Sequence, residues 1–377
     1  MTKIKVAHLV KLIAPAGKEN GILKIVSKMD RDLFEIDIVV LSGIVFEEAL
    51  NLEGFNIVTL VPTKGNNLKL IPQLIKLFKE KQYDIIYTHS WNTLMEGYLS
   101  SIVARIPIKI HGEHGTFERS YWKDKVQKFV WGQFDIVIVV ADALRKIMQK
   151  EFGYRKKNIE VRHNGIDPQK FFPSQEYREE TRKKLQLKDE FLIGTVGRFF
   201  PVKDHFTLFR AFERVKKTIP SAKLLLMGAE PPGNHMKDKY IEFFQERNLL
   251  NDVFILPPTL EVEKIFNALD VFVLSSISEG CSNVILEAMA CGIPVVATRT
   301  GGNPELLSHN KNGILFPVGD DQKLAEALEI LHSEPLLCQK FRENGLKIIK
   351  DQFTIDRVID YYQNLFIKLY SSKIGNL

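Results

Sequence analysis

Val271-Phe272-Val273-Leu274, then Ser275 to Asn283, then Val284-Ile285-Leu286-Glu287-Ala288-Met289-Ala290-Cys291-Gly292-Ile293-Pro294: this stretch decides the fold. The short apolar run reads as a buried strand, the middle as a loop, and Val284 to Cys291 as a helix closed by Gly292 and Pro294. Strand, loop and helix in that order are one step of a parallel α/β sheet. Such sheets bind ligands at the carboxyl ends of their strands, where helix amino ends aim N–H groups at anions. Two glutamates fall in this step with different placements, Glu279 in the loop and Glu287 within the helix. A carboxylate at an anion-attracting surface needs its own purpose, and accepting hydrogen bonds from the hydroxyls of a ribose or a hexose supplies one. Taken alone, the pair also reads plainly as a loop acid and a solvated helix residue.

The same step recurs along the chain. Apolar runs at Ile4 to Val10, Ile36 to Leu41, Ile57 to Val61, Ile85 to Thr88, Ile108 to Ile110, Ile136 to Val140 and Ile159 to Val161 alternate with helical patterns. After a polar break from Asp167 to Glu190, with Pro168 and Pro173, the rhythm restarts. It runs through Leu192 to Val196, Lys223 to Met227, Val253 to Leu256, Val271 to Leu274, Val295 to Thr298 and Ile314 to Phe316. Nearly continuous apolar strands separated by helices predict parallel sheets covered on both faces. A length of 377 residues with 45% hydrophobic content exceeds one core and suffices for two. The expectation is two doubly wound, Rossmann-like domains facing a central cleft, 1–167 and 168–355.

A second segment gives the two glutamates company. In Gly194-Thr195-Val196-Gly197-Arg198-Phe199-Phe200-Pro201-Val202-Lys203-Asp204-His205-Phe206 a strand runs into a loop carrying Arg198 and Lys203, with Asp204 placed to cap the next helix. Gly197 lets backbone approach a ligand, Arg198 can fork onto phosphate oxygens, and Lys203 adds a point charge. Together they read as a diphosphate clamp that uses no metal. Each segment alone is compatible with solvated loop charges; both in one half of the chain argue for a site.

These residues carry a resemblance. Gly197-Arg198 with Lys203, Ser278-Glu279-Gly280 through Leu286-Glu287-Ala288-Met289-Ala290, Pro294-Val295-Val296-Ala297-Thr298 and Gly301-Gly302-Asn303-Pro304-Glu305 resemble the family 4 retaining glycosyltransferases of the GT-B fold. The likeness extends through Gly17-Lys18-Glu19-Asn20-Gly21, His111-Gly112-Glu113-His114-Gly115, Asn164-Gly165-Ile166-Asp167 and Phe172-Pro173, and so covers nearly the whole chain. It is closest in kind to bacterial exopolysaccharide-type sugar transferases. The resemblance implies transfer of a sugar, with retained anomeric configuration, from a nucleotide diphosphate, commonly of uridine, to a hydroxyl of a glycan or lipid-linked acceptor. It implies an acceptor-side first domain and a nucleotide-sugar domain second, with the helical segment from 356 to 377 crossing back onto the first.

By the same resemblance Arg198 and Lys203 stabilise the leaving diphosphate, with helix N–H groups near Ser282 and Asn283. Glu279 holds hydroxyls of the transferred sugar, with Gly280 and Cys281 beside it, and Glu287 holds the ribose. Asn164 belongs to the substrate-binding set. The departing phosphate takes the acceptor proton, neither glutamate is the nucleophile, and no cofactor or divalent metal is required. In the first domain Gly17 and Gly21 follow the first strand where a glycine turn admits phosphate to a helix start. Family members often carry two adjacent glycines here, where this chain has Ala16-Gly17. His111 or His114, after the fifth strand, matches the histidine beside the transferred sugar; His114, followed by Gly115 and farther past the strand, is the better placed.

Other classes are set aside or kept as alternatives. Cys281, Cys291 and Cys338 are too few and wrongly spaced for a disulfide framework or a zinc site, which points to a reducing cytoplasm. No run reaches membrane-spanning length and Met1 leads directly into a strand, so a soluble chain is expected. The net charge of +6 is spread among acids and no recognition module appears, against nucleic-acid binding. Lys69, Lys76, Lys79 and Lys81 among Leu70, Ile71, Leu74, Leu77 and Phe78, and Lys123, Lys125 and Lys128 among Trp122, Phe129 and Trp131, form two basic amphipathic patterns. Each is either a helix lying peripherally on the inner face of a membrane or a packed helix with a solvated lysine face. The competing functions are an epimerase or phosphorylase of the same plan and a non-catalytic nucleotide-sugar-binding subunit.

Overall fold

The apolar runs are buried parallel strands because their side chains alternate between two covered faces and leave no room for a polar side. Along the run Val271–Leu274, Phe272 and Leu274 enter one core, Val271 and Val273 the other. The computed structural model describes residues 3–13, 17–44, 52–60, 69–115, 121–230 and 233–375. The chain divides into two units, Met1–Asn164 with Ile355–Leu377, and Gly165–Thr354.

The first unit runs β1 (Ile4–Val10), α1 (Gly17–Lys28), β2 (Phe34–Val40), β3 (Asn56–Thr59), α2 (Leu70–Lys81), β4 (Ile85–His89), α3 (Trp91–Val103), β5 (Ile108–Glu113), α4 (Tyr121–Trp131), β6 (Ile136–Val139), α5 (Asp142–Lys150) and β7 (Ile159–Val161). Among the described residues these strands form one parallel sheet in the order β3-β2-β1-β4-β5-β6-β7. Val6 pairs with Ile36 on one side and Ile85 on the other, which puts the reversal of strand order between β1 and β4. The sequence pattern ends the fifth strand at Ile110; β5 runs on to Glu113, so His111 lies inside the strand and not beyond it.

The second unit runs α6 (Gln175–Lys184), β8 (Leu192–Val196), α7 (His205–Thr218), β9 (Lys223–Met227), α8 (Met236–Glu246), β10 (Val253–Leu256), α9 (Val262–Ala268), β11 (Val271–Leu274), α10 (Asn283–Ala290), β12 (Val295–Thr298), α11 (Asn303–Leu306), β13 (Ile314–Phe316), α12 (Asp321–Ser333) and α13 (Pro335–Gln352). Its strand order β10-β9-β8-β11-β12-β13 reverses between β8 and β11, the place where doubly wound sheets bind ligands. The polar break is not a bare linker. It contains α6, whose first turn is closed by Ser174 accepting from the Tyr177 N–H, and whose Arg178 and Arg182 grip Asp270 at the foot of β11.

The last helix, α14 (Ile355–Lys373), presents Ile355, Ile359, Tyr362, Leu365 and Phe366 at three- and four-residue spacing. They join Ile4, Val6 and Phe34 in the core of the first unit, and Tyr362 Oη lies 3.1 Å from Tyr87 Oη of β4. Among the described residues no helix is long and apolar enough to cross a membrane. Parallel sheets of this kind in two α/β units constitute the GT-B fold.

Candidate active site

At the switch point of the second unit, the loop after β8 enters a single 3-10 turn, Pro201–Lys203, before α7. Two contacts tie that turn to the loop after β11: the Ile277 N–H donates to Val202 O at 2.8 Å, and Ser275 Oγ to Lys203 O at 3.0 Å. Lys203 therefore points at Glu279, and Nζ donates to Glu279 Oε1 at 2.6 Å, with the side chains 19% and 12% exposed. Ser276 Oγ donates to the same oxygen at 2.6 Å. Among the described residues no protein donor reaches Oε2, which keeps its capacity to accept from a ligand hydroxyl. Arg198 is exposed in the same loop, its guanidinium 6.0 Å from the Phe200 ring centroid, and among the described residues no acid pairs with it.

Two glycines hold these loops at distances no other residue allows. A Cβ on Gly228, after β9, would sit 1.9 Å from Gly197 O; one on Gly301 would sit 1.8 Å from Glu279 O, and Gly301 has φ +50° besides. The loop after β12 thereby braces the Glu279 loop, with the Gly302 N–H donating to Gly280 O at 3.0 Å and Thr300 Oγ1 to Ile277 O at 2.9 Å. The space beside Gly197 is open, since a Cβ there would meet only Lys203 Cε at 3.8 Å. Of the loop Gly228 to Asn234, Pro231 and Pro232 lie outside the described residues; Asn234 Nδ2 donates to Phe199 O at 2.7 Å.

Gly280 is buried and Cys281 half-buried ahead of α10, Ser282 occupies its N-cap without closing it by its own side chain, and Asn283 is its first residue. Glu287, one turn on, is 9% exposed, so it is not a solvated helix residue. Asp204 stands at the N-cap of α7 as the sequence predicts, but with φ +43° and with its carboxylate accepting from Thr207 Oγ1 at 2.6 Å in place of a backbone N–H. His205, next to it, is 3% exposed against Tyr240 Oη at 2.7 Å. Burial, aided by the charge of Lys203, pushes its imidazole down to about 3, so it is neutral.

In the first unit Gly17 opens α1 and Gly21 lies one turn in, where a Cβ would meet nothing within 4 Å. The residues of the turn before them, 14–16, lie outside the described residues. Asn164 is half-buried in the loop after β7. His111 departs from its expected role. It is 0% exposed, with Nδ1 2.7 Å from Thr88 Oγ1 and Nε2 2.9 Å from Glu113 Oε1, so both ring nitrogens are used inside the protein and none is left for a ligand. Gln127 and Trp131 donate to the same Glu113 oxygen, at 2.9 and 3.2 Å. His114 is half-buried just past β5 and touches His89, which in turn touches His8, two histidines the sequence did not single out. Its Nε2 is 3.0 Å from His89 Nδ1, and His89 Nε2 is 3.1 Å from His8 Nδ1, so strand ends of β1, β4 and β5 are joined by a chain of three imidazoles. The available signal was position: His8 and His89 are histidines within mostly apolar strands. Burial pushes His8 down to about 3.

A family model described as glycosyltransferase family 4 matches residues 16–170, and one described as glycosyl transferases group 1 matches 177–348. The chain is a glycosyltransferase of this group 1/family 4 kind. It is 27% identical over 97% of its length, and 98% of the relative's, to the UDP-Gal:alpha-D-GlcNAc-diphosphoundecaprenol alpha-1,3-galactosyltransferase of Escherichia coli. It is 23% identical, with 97% of each chain covered, to the capsular polysaccharide biosynthesis glycosyltransferase CapM of Staphylococcus aureus. The crystal structure of Anabaena HepE in complex with UDP and glucose superposes with a TM-score of 0.87 at 22% identity, covering 96% of this glycosyltransferase and 99% of HepE.

Proposed function

We propose that this glycosyltransferase moves a sugar from a uridine diphosphate donor to a hydroxyl of a glycan or lipid-linked acceptor in polysaccharide synthesis, with the anomeric configuration retained. The observation that carries the reading is the Lys203–Glu279 pair at the switch point of the second unit, with Arg198 in the same loop, where no acid among the described residues pairs with it. An anion with hydroxyls on one side suits that set: cations for the diphosphate, and an open carboxylate oxygen for the sugar. The names of relatives agree in kind, one acting from UDP-Gal on a diphosphoundecaprenol-linked sugar and HepE being complexed with UDP and glucose.

In the proposed step the bond from the anomeric carbon to the diphosphate breaks, the acceptor oxygen bonds to that carbon on the same face, and the acceptor proton passes to the departing phosphate oxygen. Arg198 and Lys203 neutralise the charge growing on the diphosphate, the part a divalent cation can also play. The amino end of α10, at Ser282 and Asn283, adds its dipole. Glu279 orients the sugar through Oε2 and Glu287 holds the ribose, while the first unit, with His114, takes the acceptor side. Three cysteines without disulfides suit the cytoplasm, where nucleotide sugars are met.

The test is incubation of the full chain with radiolabelled nucleotide sugars, with and without a diphosphate-lipid-linked sugar as acceptor. The expected result is slow donor hydrolysis alone and faster transfer with acceptor. Isomerised donor would make the protein an epimerase, and saturable binding with no turnover a binding subunit; either outcome overturns the proposal.

A further inference from the structure

Two helices of the first unit mix lysines with apolar residues, and they are built in opposite senses. α2 buries Leu70, Leu74 and Phe78 and leaves Lys76, Lys79 and Lys81 in solvent, the ordinary arrangement of a packed helix. α4 is reversed. Its buried positions are Gln127, Val130 and Trp131, two of which donate hydrogen bonds to Glu113, itself 3% exposed. Its exposed positions are Tyr121 at 65%, Trp122 at 72%, Val126 at 40% and Phe129 at 62%. With 3.6 residues per turn, Tyr121, Trp122, Lys125, Val126 and Phe129 share one side, turned away from Gln127 and Trp131.

An apolar stripe of this size facing water marks a contact surface, since burying it is what would favour the arrangement. Its charges say what covers it. Lys125 Nζ lies 4.4 Å from the Tyr121 ring centroid and 5.7 Å from that of Trp122, and Lys123 and Lys128 are exposed on either flank. At the carboxyl end Lys156 Nζ donates to Gly132 O at 2.7 Å, with Arg155 and Lys157 exposed beside it in the chain. The exposed positions of α4 thus include three lysines and no acid. A second copy of this face would set lysines against lysines, because a two-fold interface brings each patch to its own image. An anionic lipid surface complements both features: tryptophan and tyrosine rings settle at headgroup level while lysines meet the phosphates.

We propose that α4 is the membrane-contacting element of this protein and seats its Tyr121, Trp122, Val126 and Phe129 side on anionic phospholipid. The proposal does not depend on the identity of the donor, and its test does not require turnover.

The full chain is pelleted with vesicles of phosphatidylcholine alone and of phosphatidylcholine mixed with phosphatidylglycerol. The wild type is expected to pellet with the mixed vesicles only and to be released by salt. The double substitution Trp122→Ser with Phe129→Ser is expected to weaken binding by about ten-fold or more, and Lys125→Gln or Lys128→Gln by about five-fold each. Thermal melting of each variant reports folding, and the blue shift of tryptophan emission on binding should disappear in Trp122→Phe. No pelleting of the wild type with anionic vesicles overturns the proposal, as does wild-type pelleting by the folded aromatic variant. A dimer in sedimentation velocity that the same variant abolishes also overturns it, in favour of a protein interface.

Discussion

Lys203→Ala separates a structural ion pair from a catalytic cation. Lys203 Nζ sits 2.6 Å from Glu279 Oε1 with both side chains mostly enclosed, and Ser276 Oγ is the carboxylate's other protein donor. Removing the ammonium leaves Glu279 charged in a confined loop with one neutral donor. The stability cost should be about 1–3 kcal/mol, below the 3–5 kcal/mol of a fully buried pair because water reaches this site. If Lys203 also neutralises the departing diphosphate, kcat should fall by about 10²–10³, the loss typical when one preorganised charge-stabilising donor is removed.

The double variant Lys203→Ala with Glu279→Gln decides between the two roles. Were the lysine there only to pair with the acid, taking away both charges would restore the melting temperature, and activity would match that of Glu279→Gln alone, which already lacks the acid's own contact with the sugar. For a lysine that serves the diphosphate, stability should return while kcat falls about 10²–10³ below that of Glu279→Gln alone. The assay is transfer from radiolabelled donor, run well below the melting temperature of every variant. A Lys203→Ala variant within about three-fold of wild-type kcat/KM, or a double variant as active as Glu279→Gln alone, would refute the clamp.

Gly301→Ala, whose new Cβ would meet Glu279 O at 1.8 Å in a backbone with positive φ, should cost about 2 kcal/mol or more and lower activity with it; a melting curve unchanged from wild type would contradict the contact. Glu287→Ala should raise the donor KM by about 10–100-fold through loss of charged hydrogen bonds, with kcat little altered, as initial-rate kinetics would show. His8 and His205 are both depressed to about 3 from 6.5, so between those values the unfolded chain binds more protons and stability falls as pH falls. From pH 7.5 to 5.5 each should remove about 1.4 kcal/mol, and His205→Gln, which can keep the bond to Tyr240, should flatten the contribution of the second unit. An unchanged pH slope in urea denaturation of that variant would rule the account out.

The strands were legible because burial on both faces leaves a parallel strand no polar side to mislead the eye: Leu192–Val196 and Val271–Leu274 are buried at every position. The reading stopped short at β5 for the converse reason. His111 and Glu113 look like the start of a loop until their partners are known, and those partners, Thr88, Gln127 and Trp131, are set by tertiary structure. The chain His8, His89 and His114 escaped for the same cause, since three strands remote in sequence end at one place. Spacing alone could not distinguish α2 from α4 either. Both show lysines among apolar residues, and only burial reveals which helix turns its apolar side outward. Glu279 and Lys203 were legible because each lies just beyond an unmistakable strand in a fold that gathers such ends.

Their meeting also bears on how the site would work. The loops after β8, β11 and β12 are bound by backbone contacts, Ile277 to Val202 and Gly302 to Gly280, and held close by the two glycines at 228 and 301. Charges on so braced a frame need little rearrangement when a reaction develops charge of its own, which is the condition under which fixed dipoles and ions stabilise a transition state most. On the proposed reading, the Lys203–Glu279 bond spares both groups from lacking a partner before the donor arrives. A nucleotide sugar supplies phosphate oxygens to the lysine and hydroxyls to the acid, so binding exchanges one satisfied arrangement for another. A free nucleoside diphosphate satisfies only the cation and leaves the carboxylate dependent on Lys203 and Ser276. On that reading the pair favours donor with its sugar attached over the product that has lost it.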